Sequence, residues 1–172
     1  MTYTAPKTWS TGEALTAADL NANVRDNVTA LKSPPTDTYI LDGGTNYSTT
    51  SATFVDVDAT NLELEITTTG GDILVWLNAS VQIGAASAAV YLEILVNTVP
   101  QGGQSGIAGV LAAASPNTVH HFGMTRLLTG LPAATYTIKL QWRVSAGTVL
   151  MFNGDAGTVA HDIEGQFGIR EI

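Results

Sequence analysis

Residues 136–144, Tyr-Thr-Ile-Lys-Leu-Gln-Trp-Arg-Val, alternate apolar and polar side chains without a break. Successive side chains of a strand point to opposite faces, so this run reads as a strand with one dry and one wet side. The same period of two governs 62–67, where Leu62, Leu64 and Ile66 oppose Glu63 and Glu65. It recurs over 72–83, with Ile73, Val75, Leu77, Ala79, Val81 and Ile83 on one face. Over 89–97 it sends Val90, Leu92, Ile94 and Val96 inward and Tyr91, Glu93 and Leu95 outward. Further strands are expected at 38–41, 52–57, 105–111, 118–128, 148–152 and 158–171. Gly70-Gly71, Gly102-Gly103, Gly130-Leu131-Pro132 and Asn153-Gly154-Asp155 read as turns. No crossover helix is available between the strands, which excludes a parallel α/β sheet. The expected fold is all-β: an antiparallel β-sandwich or jelly roll over residues 36–172, behind a short N-terminal helical arm.

The arm, residues 1–35, obeys a different period. Thr16 is a good N-cap, and Asp19 three residues later completes a pattern like a capping box. Leu15 and Leu20 stand where a hydrophobic staple would. Leu20, Val24, Val28 and Leu31 then recur at spacings of 4, 4 and 3, and Ser33-Pro34-Pro35 stops the helix. The helix is placed at 17–31, about 22 Å long at ~1.5 Å per residue. Its apolar stripe is narrow and its other face is Asn, Arg and Asp, so alone it is marginal. Docking on a partner chain or on symmetry mates is expected, through Trp9, Leu15, Leu20, Val24, Val28 and Leu31.

Charge is scarce and uneven. Only 13% of residues are charged, roughly half the usual share. Residues 1–34 balance Lys7, Arg25 and Lys32 against Glu13, Asp19 and Asp26, so the whole net charge of -8 belongs to residues 35–172. A body of that sign repels phosphate backbones, and nucleic-acid binding is not expected. No apolar run approaches the ~18 residues of a membrane span, and the start has no signal-peptide pattern, so synthesis in the cytoplasm without membrane insertion is expected. The absence of cysteine removes zinc–thiolate, iron–sulfur and thiol chemistry.

Catalytic constellations are missing. His120 and His121 are adjacent and would point to opposite faces of a strand, while His161-Asp162 near Glu164 matches no ligand spacing. Asp56 and Asp58 are expected on one strand face, but nothing beside them marks a substrate. Asp42-Gly43-Gly44 and the segment around Asp155 are turn chemistry that could hold calcium only weakly. No serine sits in a nucleophile elbow, and the glycines follow no dinucleotide or P-loop pattern. No enzyme activity, cofactor or metal is therefore expected. What does stand out is a group of apolar residues at nominally outward positions, Leu74, Trp76, Tyr91 and Leu95. A patch of that kind suits an oligomer or ligand face.

Residues 3–32, with Trp9, Gly12-Glu13, Leu15-Thr16-Ala17-Ala18-Asp19-Leu20-Asn21 and Val24-Arg25-Asp26-Asn27, resemble a leader found in virion structural proteins of tailed bacteriophages and prophages. The stretch 127–144, LLTGLPAATYTIKLQWRV, and the closing FGIREI, 167–172, resemble trimeric jelly-roll heads of phage fibres and capsid decorations. These resemblances imply a homotrimer in the virion, a surface decoration or fibre-like component whose residues 1–34 hold other virion proteins. They transfer no catalytic residue. The alternatives are a tail-tip protein that binds a host surface receptor or glycan, and a free carbohydrate-binding module.

Overall fold

The computed structural model describes residues 5, 7–111, 115–154 and 162–172. The expected turn at Asp155, the metal-ligand candidate His161 and the first part of the expected strand 158–171 lie outside the described residues. Among those described, twelve strands form two six-stranded sheets, and every strand pairing is antiparallel. The described chain is an all-β antiparallel sandwich behind a short N-terminal helical arm.

The first sheet is built on the long strand β5 (Ile73–Ile83). One edge of β5 pairs along its full length with β9 (Thr118–Leu128). Its other edge is shared: β12 (Gly165–Glu171) takes residues 73–78 and β11 (Val149–Met151) takes 81–83. Beyond these lie β1 (Thr36–Leu41) against β12 and β2 (Tyr47–Thr49) against β11. The second sheet centres on β10 (Thr135–Val144), the strand with the cleanest alternation in the sequence. It is flanked on one side by β6 (Ala89–Val96) and on the other by β4 (Glu63–Thr67) and β3 (Val55–Asp56). β7 (Val99–Pro100) and β8 (Ala108–Leu111) edge β6.

The inward parities of β4, β5, β6 and β10 meet in one core whose largest enclosed side chains include Trp142, Phe152 and Phe167. Among the described residues, every buried apolar one lies between Leu41 and Ile169, and the arm contributes none. At a few tens of cal/mol per Å² of apolar surface, this core carries the stability of the chain without a disulfide. Tyr136 adds a polar lock: its ring is buried and its hydroxyl donates to Pro132 O at 2.9 Å, tying the Gly130-Leu131-Pro132 turn to the strand it launches.

The arm begins as expected. Thr16 Oγ1 accepts the Asp19 N–H at 3.1 Å and Asp19 Oδ2 accepts the Thr16 N–H at 3.4 Å, closing a capping box at the start of α1 (Ala17–Leu20). The helical path then widens into a π turn, Asn21–Arg25, where the Asp26 N–H reaches Asn21 O, before α2 (Asp26–Lys32) completes it.

Candidate interaction surfaces

In an amphipathic helix the apolar stripe ordinarily faces the core. Here the orientation is reversed. Leu20, Val24, Val28 and Leu31 are 48–70% exposed, and Leu15 is exposed as well. The covered side is the polar one, where Asn23 is half-buried and Asn27 is 5% exposed. Residues 7–13 lie along it. The Lys7 N–H donates to Asn23 Oδ1 at 3.0 Å, and the Lys7 ammonium pairs with Glu13 and, at 3.7 Å, with Asp19. The hydrogen bond with Glu13 raises the Lys7 pKa above its ordinary value and lowers that of Glu13; Asp19 is lowered chiefly by its bond from Thr16. Trp9 stands half out of this scaffold with the Lys7 ammonium 4.6 Å from its ring centre. The six residues expected to dock are thus together on the arm and unburied. A cleft of about 600 Å³ separates the end of α2 from the base of the sandwich, between Leu31, Pro34 and Pro35 on one side and Gly70, Gly71 and Ile172 on the other.

The four residues expected to form one outer patch do not form one. Leu74 and Trp76 lie on β5 in the first sheet, whereas Tyr91 and Leu95 lie on β6 in the second. The two pairs look out from opposite faces of the sandwich. Chain neighbours in a sandwich can change sheets, and parity along each strand says nothing about which sheet it joins.

The two outer faces differ in chemistry. On the second sheet, Lys139 Nζ reaches Asp56 at 3.2 Å and Glu63 at 2.6 Å, and its pKa is raised, chiefly by the bond with Glu63. Arg143 lies 4.1 Å from the Tyr91 ring centre and 5.3 Å from that of Phe54. Tyr91 is therefore capped by a guanidinium. On the first sheet, Trp76 lies flat across Gly168, where a Cβ would come within 2.1 Å of the indole. Its Nε1–H donates to Gln166 Oε1 at 3.1 Å. Trp142, which could have contributed to a sugar platform, is 1% exposed and belongs to the core.

The candidate acid–base pair dissolves. Asp56 is on β3 and accepts from Lys139 and from Gln141 Nε2 at 2.7 Å, but Asp58 has left the strand. Its carboxylate accepts the N–H groups of Thr60 and Asn61 and closes a turn. Those bonds hold its pKa low against the opposing effect of burial. His120 faces the sandwich interior beside Val81, and its Nε2 is buried with no hydrogen-bond partner. His121 faces outward, its Nδ1 2.9 Å from Ser80 Oγ. Gly43 and Gly44 near Asp42 bond to Asn153. Among the described residues, no three His, Asp or Glu side chains gather as a metal site would need. Among the described residues, no helix is long and apolar enough to cross a membrane.

Two buried carboxylates escape the sequence-based reading. Glu93, expected outward, is 2% exposed and accepts the N–H groups of Ile94, Gln101 and Gly102 at 2.8–3.2 Å. Glu171 Oε1 accepts from Thr68 Oγ1 at 2.6 Å and from Thr69 N, Thr69 Oγ1 and Gly71 N at 2.8 Å. Burial pushes the Glu171 pKa up, but the bonds from Thr68, Gly71 and Thr69 outweigh it and hold the carboxyl below its ordinary value. Both are structural clamps on loops. A glutamate on the outward parity of a strand carries no sign that a loop will fold over it.

No protein-family model and no curated protein matches the chain. Among solved structures it is similar to the VP2 subviral particle of infectious bursal disease virus, at a TM-score of 0.43 and 10% identity over 80% of this chain and 37% of that one. It is also similar to structures of the Gx strain (0.42, 8% identity, 79% of this chain and 36% of that one) and the Gt strain (0.41, 11%, 80% and 38%) of the same virus. The chain spans little more than a third of the length of these neighbours, and a likeness at this level carries no assignment.

Proposed function

We propose that the protein is a non-enzymatic structural component of a bacteriophage particle, a surface decoration or fibre-like protein. In this reading residues 1–34 form an anchoring arm, residues 36–172 form the head, and the head assembles as a homotrimer. The observation that carries the proposal is the reversed helix. A sixteen-residue helical arm that covers its asparagines and presents Leu20, Val24, Val28 and Leu31 to solvent is built to be completed by other chains. The phage-like leader motif covers the same residues. No described residue of the arm fills the core, which supports its role as an accessory to the head.

A receptor- or glycan-binding role has less to stand on. Of the three aromatic residues from which a sugar platform would be built, Trp142 is enclosed, Tyr91 is capped by Arg143, and Trp76 lies flat against its own sheet.

Deletion of residues 1–34 tests the reading. The expected outcome is a folded head, with far-UV circular dichroism of β type and cooperative melting, that no longer joins phage particles on co-sedimentation. A deletion that unfolds the head, or one that leaves particle association intact, overturns the anchoring role. Light scattering of the full chain is expected to give three times 17.9 kDa; a monomer at micromolar concentration overturns self-assembly.

A further inference from the structure

We infer that copies of this chain meet through the outer face of the first sheet. The inference deepens the self-assembly reading above and rests on it.

The face is made by the outward parities of β1, β12, β5 and β9, aligned by their registers: Thr38 beside Gly168, Trp76 and Thr125 in one row, Thr36 beside Arg170, Leu74 and Leu127 in the next. Within the strands, among the described residues, these outward positions carry one fixed charge, Arg170, one histidine, His121, and no carboxylate; Asp42, Asp72 and Glu164 stand just beyond the strand ends. The opposite face of the sandwich presents Asp56, Glu63, Glu65, Lys139 and Arg143. This contrast matters because the head bears the whole net charge of -8. Two such bodies repel, and they can come into contact cheaply only where neither presents a carboxylate. A foreign partner recognising the head by charge would seat on the acidic surface instead.

The shape fits the same occupant. Ile40, Leu127 and Val119 are exposed apolar side chains on this face. Its one large aromatic is laid flat by the absence of a side chain at Gly168, and the space above Gly123 is open. With β5 and β9 about 35 Å long and β1 and β12 about 20 Å, at ~4.8 Å spacing, the face projects roughly 550 Å², about two-thirds of the ~800 Å² per partner of a standard interface. A flat surface almost free of charge packs readily against another copy; in a three-fold ring the contact is heterologous, so different parts of the face, with its β9 margin, meet on neighbouring copies.

A second observation comes from the margin of the face. β9 is an edge strand eleven residues long that pairs only with β5 among the described strands. Natural edges are blunted by charge, proline, shortness or a bulge. The one arginine of β9, Arg126, stands near its end and reaches Gln101 O at 3.5 Å; from Thr118 to Thr125 the strand has no Asp, Glu, Lys, Arg or proline, and its register with β5 is unbroken. An edge of this kind is protected when assembly covers it.

The chain has no cysteine, so a single introduced thiol reports accessibility cleanly. Full-length Thr125→Cys and Thr38→Cys place it on the first sheet's outer face, and Thr135→Cys on the second; all three sites are exposed in the single chain. With a bulky maleimide at micromolar protein, the first two are expected to label about tenfold slower than the third, as residues within a packed interface do. Leu127→Lys, at an exposed position, is expected to keep the circular dichroism of the parent and to weaken association by about a hundredfold. Equal labelling of all three thiols in an assembled protein overturns this face and leaves self-assembly standing. A wild-type chain that is monomeric by light scattering overturns both.

Discussion

Glu171 shows how much one side chain can hold at the end of a fold. Its carboxylate gathers four hydrogen bonds from the β4–β5 turn and closes the base of the first sheet onto the second. Glu171→Gln keeps the shape but loses the charge that strengthens those bonds, at an expected cost of about 2 kcal/mol near neutral pH. The sign of the pH dependence follows from the lowered folded-state pKa. The stabilisation is complete above the ordinary value of 4.5 and is lost as pH falls through the lower folded value. Urea unfolding of the two proteins should therefore show a gap that is full at neutral pH and closes only as pH falls below the ordinary value of 4.5. None of this was legible in the sequence, because the partners Thr68, Thr69 and Gly71 stand a hundred residues upstream. Gly168 is a second case: only the register of β12 against β5 reveals that it makes room for Trp76. Gly168→Ala forces the indole off the sheet and is expected to cost about 1–3 kcal/mol in thermal unfolding, with an altered tryptophan emission.

Elements were readable wherever the period of two ran for five residues or more. β4, β5, β6 and β10 begin and end within a residue or two of where alternation predicts, since burial of one face selects the register. β2 and β7 were missed because three and two residues are too short to show a period. The helix was legible from its cap and stripe, but not the π turn inside it, which depends on hydrogen bonds rather than residue type. The β6–β7 hairpin holds a local conflict. Its two-residue loop, Asn97-Thr98, has φ of 47° and 75°, the left-handed conformation that suits this turn but not a β-branched side chain. Thr98→Gly relieves the clash at some cost in chain entropy and is expected to stabilise the protein by about 1 kcal/mol, read as a higher melting temperature.

At the scale of the whole molecule, the sheet to which each strand belongs decides what the surface can do, and this is what local alternation cannot supply. Leu74 and Trp76 looked like companions of Tyr91 and Leu95 until strand pairing sent the two pairs to opposite faces. That separation leaves Asp56, Glu63, Glu65 and their counter-ions on one side and strands with almost no outward charge on the other. The scarcity of charge, visible in composition alone, thereby acquires a location. It also fixes the sign of a salt effect. An interface held by ion pairs weakens as salt is added, because screening removes attraction between the surfaces. Here the contact surface has almost no charge to screen, while the two bodies, each at -8, repel through solvent. Lowering the screening length from about 30 Å at 0.01 M to about 8 Å at 0.15 M removes mainly that repulsion. Association measured by sedimentation is therefore expected to tighten with added salt. Weaker association at higher salt would mean that the copies meet through the charged second face, around Lys139 and its carboxylates.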